Sequence, residues 1–310
     1  MTVDEAAQPE ITTPHVAPPQ SVVERPMSDL TGAVRRSRWR PARDDGMLGL
    51  GLLAGPANVI MQLARPGVGY GVAESRVESG RIDRHPIKRA RTTFTYLAVS
   101  TNGTAQQKLA FRRAVNGAHA QVYSTEESPV KYHAFDKNLQ LWVGACLYKG
   151  VVDVHRLFAG DLDERAADRL FEQGRALATM LQVDDEMWPA DREAFDRYWQ
   201  EQLDEVHIDD TVREFLYPIA TSRLRGLTLP GPLQRRAEAL ALLITTGFLP
   251  QRFRDEMRLP WDAAQQRRFD RLMGVLRFVN TVSPRFLREF PFNVLLKDLD
   301  WRMRTGRPLV

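Results

Sequence analysis

The chain carries one cysteine, Cys146, in 310 residues. A single thiol excludes an internal disulfide framework, a Cys-x-x-Cys redox pair, a thiolate-bound iron–sulfur cluster within one chain and Cys-x-x-Cys-His haem attachment. A cytoplasmic setting is the expectation that follows. Alternating strand patterns of any length are missing, so a parallel sheet is not expected and no strand precedes a nucleotide loop. The glycine-rich GVGYG at Gly67 to Gly71 has neither dinucleotide-binding spacing nor a Walker lysine, and reads as a turn between two helices. No histidine has a glutamate three residues before it, and His-Glu-x-x-His and Gly-x-Ser-x-Gly are absent. These gaps remove the commonest di-iron, zinc-protease and hydrolase patterns. No long self-similar period is visible.

Long apolar runs are scarce as well. Met47 to Ala64 is uncharged over nearly the length a membrane span needs. Gly49, Gly51, Gly55, Pro56, Asn58 and Gln62 interrupt it, and Arg65 and Pro66 follow at once, so it reads as a buried, kinked core segment. Residues 1 to 30 are acidic, Pro-rich and Thr-rich, unlike the basic-then-apolar pattern of a signal peptide. Residues 1–45 are therefore read as a disordered tail and 46–310 as one domain.

What is present fits a globular protein. Hydrophobic residues make up 43% and charged residues 26%, enough for a sizeable core. The net charge of +4 comes from arginines spread along the chain, with one dense cluster at Arg35, Arg36, Arg38, Arg40 and Arg43. That cluster suits phosphates or anionic lipid, hence a peripheral membrane contact, but no nucleic-acid motif accompanies it and no nucleic-acid partner is expected.

The pattern is helical nearly throughout. Ile87 to Ser100 is a basic-then-apolar helix, separated by Gly103 and Thr104 from a second in which Leu109, Arg112, Asn116, His119 and Val122 recur at steps of three and four. His119 is thereby expected on the inward face, where a neutral imidazole needs a partner for each nitrogen; an iron atom or a backbone carbonyl would serve. Asp136 is expected to cap a third helix in which Leu139, Trp142, Val143 and Cys146 share a face. Asp161 with Glu164 resembles a capping box opening a helix through Leu181, with Leu162, Ala166, Leu170 and Leu177 toward the core. Helices are further expected at 190–206, 211–219, 232–247, 251–257, 261–280 and from 284 to the end. His133 and His155 are read as loop or surface residues, and His85 as part of a helix start.

Four segments, LLAGPANVIMQLARPGVGYGVAES, RARTTFTYLAVSTNGT, VNGAHAQV and YHAFDKNLQLWVGACL, resemble in order and spacing the MpaB-type oxygenases, relatives of the latex-clearing protein's catalytic domain. The resemblance covers roughly Met47 to Arg304 and implies an all-helical fold with a globin-like core holding a non-covalent haem b. It implies His119 as the iron ligand, with Arg112, Arg113 and Arg89 near enough to meet propionates. It also implies Arg91 and Thr92 on the distal side, where a cation stabilises negative charge developing from dioxygen, and Glu74 as a base nearby. Two departures stand out: relatives carry histidine where this chain has Gly144, and arginine where it has Asn116. Arg65 also stands where relatives often carry another polar residue.

The expected function is a haem b-dependent oxygenase that uses dioxygen to oxidise or cleave a hydrophobic, prenyl or lipid-like substrate. The alternatives are a haem- or lipid-binding helical protein without turnover, and a helical domain with no cofactor at all.

Overall fold

The computed structural model describes residues 47–77, 85–223 and 230–310. The tail expected at 1–45, with its arginine cluster, lies outside the described residues. The described chain is all-α, and its only strand-like feature is one antiparallel bridge between Tyr123 and His133.

A 3-10 segment at Gly49–Ala54 leads into α1 (Gly55–Leu63) and then α2 (Pro66–Ala73). The uncharged segment is therefore interior structure, as its breakers foretold. Its polar residues are satisfied by a neighbour: Asn58 Nδ2 donates to the Cys146 carbonyl at 2.6 Å, and Gln62 Nε2 donates to Asn58 Oδ1 at 2.7 Å. Among the described residues, no helix is long and apolar enough to cross a membrane. The GVGYG run corrects an expectation, because it is the body of α2 and not a turn. Its glycines permit close approach: a Cβ on Gly69 would lie 2.6 Å from the Leu63 carbonyl oxygen. Glycine's low helix propensity, about 1 kcal/mol against alanine, is outweighed here by contact.

Next come α3 (Pro86–Asn102), with His85 at its N-cap, and α4 (Ala105–His119). Thr104 and Gln107 form a reciprocal capping box that starts α4 abruptly after Gly103. The long α5 (Lys137–Ala159) is capped by Asp136, whose side chain accepts from the backbone N–H of Asn138 and Leu139. α6 (Glu164–Thr179) is capped by Asp163, so the capping box expected from Asp161 is replaced by a cap two residues later. α7 (Arg192–Leu203), α8 (Asp210–Ala220), α9 (Gly231–Phe248), α10 (Gln251–Glu256), α11 (Ala263–Val282), the short α12 (Arg285–Arg288) and α13 (Phe292–Thr305) complete the order.

The core is organised on α5. Trp142 is fully buried, stacks on Trp199 at 5.2 Å between ring centroids and donates its indole N–H to the Gln62 carbonyl at 3.1 Å. Tyr148, two turns on, meets Phe195 edge to face at 4.6 Å and also contacts Phe171 and Trp188. Cys146 is buried in the same face, and burial pushes its thiol well above the ordinary range, so it is inert as a nucleophile. His155, expected at the surface, is instead buried in α5 at 8% exposure. The helix runs at its expected length, and its second half is enclosed by neighbouring elements instead of facing solvent.

α5 and α6 pack closely at Gly144. A Cβ there would fall 2.6 Å from Ala178 Cβ and 2.7 Å from Ala178 Cα. The space that a larger side chain at this position would need is therefore occupied by α6.

A candidate cofactor site at the end of the fourth helix

His119 is the last residue of α4, on the i, i+4 row that also carries the buried Gln107, Phe111 and Val115. The expected stripe was partly displaced: Leu109 is 50% exposed and Arg112 is exposed, while Phe111 and Val115 face inward. His119 stands at the edge of both rows, so its inward direction survives the correction. The following loop covers it, bringing the Phe135 ring to 6.5 Å between centroids.

The imidazole is held neutral. Burial first, and then the charge of Arg89, pull its pKa down to about 4. Its Nδ1 is buried with no hydrogen-bond partner. An enclosed polar atom without a partner costs about 1–3 kcal/mol, so such an atom in a native site calls for an explanation. A neutral ring with an unused nitrogen has the form in which histidine binds a metal.

Arg89 comes from the first turn of α3, and burial lowers its pKa as well. Among the described residues it forms no ion pair, and its charge acts on the neutral histidine. Arg89 and His119 are the two predicted residues that this structure brings together.

The others are distributed around them. Arg91 sits two residues further along α3, where burial first and then the nearby Arg302 lower its pKa while Asp298 opposes the shift. Thr92 donates its hydroxyl to the Lys88 carbonyl at 3.0 Å. Glu74, at the end of α2, is exposed and accepts from Ser128 Oγ at 2.7 Å and from the Tyr132 hydroxyl at 2.8 Å. Arg112 is close enough to Tyr96 for its charge to favour the phenolate, but burial dominates and raises that pKa. Arg113 is exposed. His133 is also exposed and stacks on Tyr123 at 6.3 Å, as a loop residue.

One constellation was not foreseen. Asn116, noted only as a departure, accepts from Gln182 Nε2 at 2.8 Å, and Gln182 Oε1 in turn accepts from Gln140 Nε2 at 2.6 Å. Gln140 completes the link by accepting from the Gln182 backbone N–H at 2.9 Å. Three amides on separate segments thus tie α4 to α5 one turn before His119. Amide pairing leaves no periodic signal, so the sequence did not mark it. Arg65 is likewise tied, donating to Gln202 at 2.6 Å.

Residues 42–278 match the family model described as ER-bound oxygenase mpaB/B'/rubber oxygenase, catalytic domain. The chain belongs to this oxygenase family. Membership makes it an oxygenase-type catalytic domain, an oxidoreductase whose reactants are in general a small molecule and dioxygen. The family match takes in α1 to α10 and most of α11, including Arg89, Arg91 and His119. Uncharacterized proteins of Mycobacterium tuberculosis and Mycobacterium bovis are each 49% identical over 259 residues, covering 84% of this chain and the whole of each relative. No solved structure matches the chain.

Proposed function

We propose that this member of the oxygenase family holds haem b through His119 and uses dioxygen to oxidise or cleave a hydrophobic, prenyl or lipid-like substrate. The observation that carries the reading is the buried, partnerless Nδ1 of a neutral histidine at the end of α4, with the charge of Arg89 beside it. The residues present fit the group: an imidazole with an open nitrogen for iron, and a buried guanidinium for a carboxylate. When bound, the haem supplies an iron centre for dioxygen activation and a large apolar surface for packing.

This chain's own side chains do the rest. His119 would hold the iron, and its low pKa keeps the ring from taking a second proton at neutral pH, so that one nitrogen retains its lone pair. Arg89 would balance a propionate, and Arg112 and Arg113 are the outer cations of the same helix pair. Arg91 and Thr92, carried over from the family pattern, supply a fixed charge and a hydroxyl to an oxygen-derived anion. Glu74 is the candidate base, its Oε2 oriented by Ser128 and Tyr132. A proton taken there would displace those two hydrogen bonds in part.

A second reading, binding without turnover, draws its support from Gly144, where α6 occupies the space that a larger side chain would need. Oxygen uptake separates the two. The purified protein, supplied with haem, is expected to consume dioxygen when an unsaturated prenyl or fatty substrate is added. A haem-loaded protein with no substrate-dependent uptake across such substrates would favour the binding reading.

A further inference from the structure

The C-terminal helices leave a large apolar surface uncovered. Val275, Phe278, Val279 and Val282 recur on α11 at steps of three, one and three, and they are 62%, 68%, 48% and 60% exposed. The buried row of the same helix, Phe269, Met273 and Asn280, lies on a different face. The exposed run continues without a break into α12 and beyond, with Phe286 at 64%, Leu287 at 54% and Phe290 at 57%. Scattered exposed apolar residues are ordinary, but seven within sixteen residues of chain, three of them phenylalanine, form a patch of the kind that marks an interaction surface.

Charge selects the occupant. From residue 267 to residue 297 every exposed charged side chain is basic: Arg267, Arg268, Arg271, Arg285 and Lys297. Arg268 and Arg271 precede Val275 at helical spacing on the same face of α11. The two acids in this stretch are partly buried and engaged, Glu289 by Arg285 at 2.7 Å and Asp270 by Gln266 at 2.7 Å. Two copies of such a face brought together would oppose arginine to arginine, which disfavours self-association. A helix with phenylalanine and valine beside a one-signed rim of arginine has the composition of a segment lying in a membrane interface.

We propose that the α11–α12 face docks on an anionic lipid surface, with Phe278, Phe286 and Phe290 entering the headgroup–acyl boundary and Arg268 and Arg271 meeting lipid phosphates. The proposal is independent of the cofactor reading and concerns a different segment from the arginine cluster near the N-terminus. It gives a chain without a spanning helix among its described residues a means of meeting a water-insoluble substrate.

The test is flotation of the full chain with vesicles of phosphatidylcholine alone and of phosphatidylcholine mixed with phosphatidylglycerol. Wild type is expected to float with the mixed vesicles, to float poorly with phosphatidylcholine, and to be released by salt. The triple variant Phe278→Ser, Phe286→Ser, Phe290→Ser changes exposed side chains, so helical content should be retained by circular dichroism, and vesicle partitioning should fall at least about tenfold. Arg268→Glu with Arg271→Glu should weaken binding to mixed vesicles while leaving the residual phosphatidylcholine binding unchanged. Undiminished flotation of the serine variant would overturn the proposal and assign binding to the N-terminal arginines. Concentration-dependent dimerisation in sedimentation, abolished by the serine variant and accompanied by no flotation of wild type, would overturn it in favour of a second copy.

Discussion

Trp142 and His119 are nitrogen-bearing rings on consecutive helices, and they are treated in opposite ways. The indole N–H of Trp142 has its acceptor in Gln62, and its ring stacks with Trp199 and Phe253 in one aromatic cluster. The imidazole of His119 keeps a buried nitrogen without a partner, a cation for a neighbour and one aromatic ring at 6.5 Å. A partnerless indole, Trp188 Nε1, also lies in the aromatic lattice, but an indole is a donor with no lone pair to offer a metal. The contrast separates a region built for stability from one whose polar groups are left for something else to satisfy.

The comparison is broken most directly at its stable end. Trp142→Ala should cost about 3–5 kcal/mol in denaturant unfolding, because it opens a cavity in a fully buried lattice. His119→Ala, measured in the same way without cofactor, should cost under about 1 kcal/mol, since little satisfied interaction is removed. Equal losses would make His119 an ordinary core histidine.

On the functional side, Arg91→Leu is expected to retain the haem spectrum while lowering substrate-dependent oxygen uptake roughly a hundredfold. Full turnover with full haem occupancy would return Arg91 to a structural role against Asp298 and Arg302. The contact between α5 and α6 gives a smaller effect: Gly144→His should destabilise by about 1–3 kcal/mol, because α6 must move to admit the side chain. An unchanged melting temperature would show that α5 and α6 separate without penalty.

Arg89→Leu should weaken haem binding about tenfold, near 1.4 kcal/mol. It should also raise the pKa of His119 in the cofactor-free protein, since the charge that opposes ring protonation is gone; a proton NMR titration of that imidazole reads the sign. A fall in that pKa would contradict the assigned neighbour. Arg113→Ala, at an exposed position, should leave stability within about 0.5 kcal/mol.

Much of this architecture was legible in the sequence. Asp136, Thr104 and the flanking glycine and prolines mark helix ends because capping is local chemistry, and α3 to α5 fall where those signals lie. The burial of the uncharged segment was legible for a related reason: breakers that disqualify a membrane span are compatible with tight packing. The misreadings share a cause. Leu109 faces out, His155 faces in and the GVGYG run is helical because a neighbouring helix, and not the local pattern, decides each. The direction of His119 was legible from periodicity, whereas Arg89 as its electrostatic neighbour and the Asn116–Gln182–Gln140 link depend on how separate helices meet.

If His119 is the ligand of a haem, haem titration of the purified protein will register it. Wild type should develop a Soret band saturating at one haem per chain, while His119→Ala should show a weak, shifted or absent band despite an unchanged circular dichroism spectrum. A wild-type protein that binds no haem, or a His119→Ala variant that titrates with the wild-type spectrum and affinity, would contradict the account.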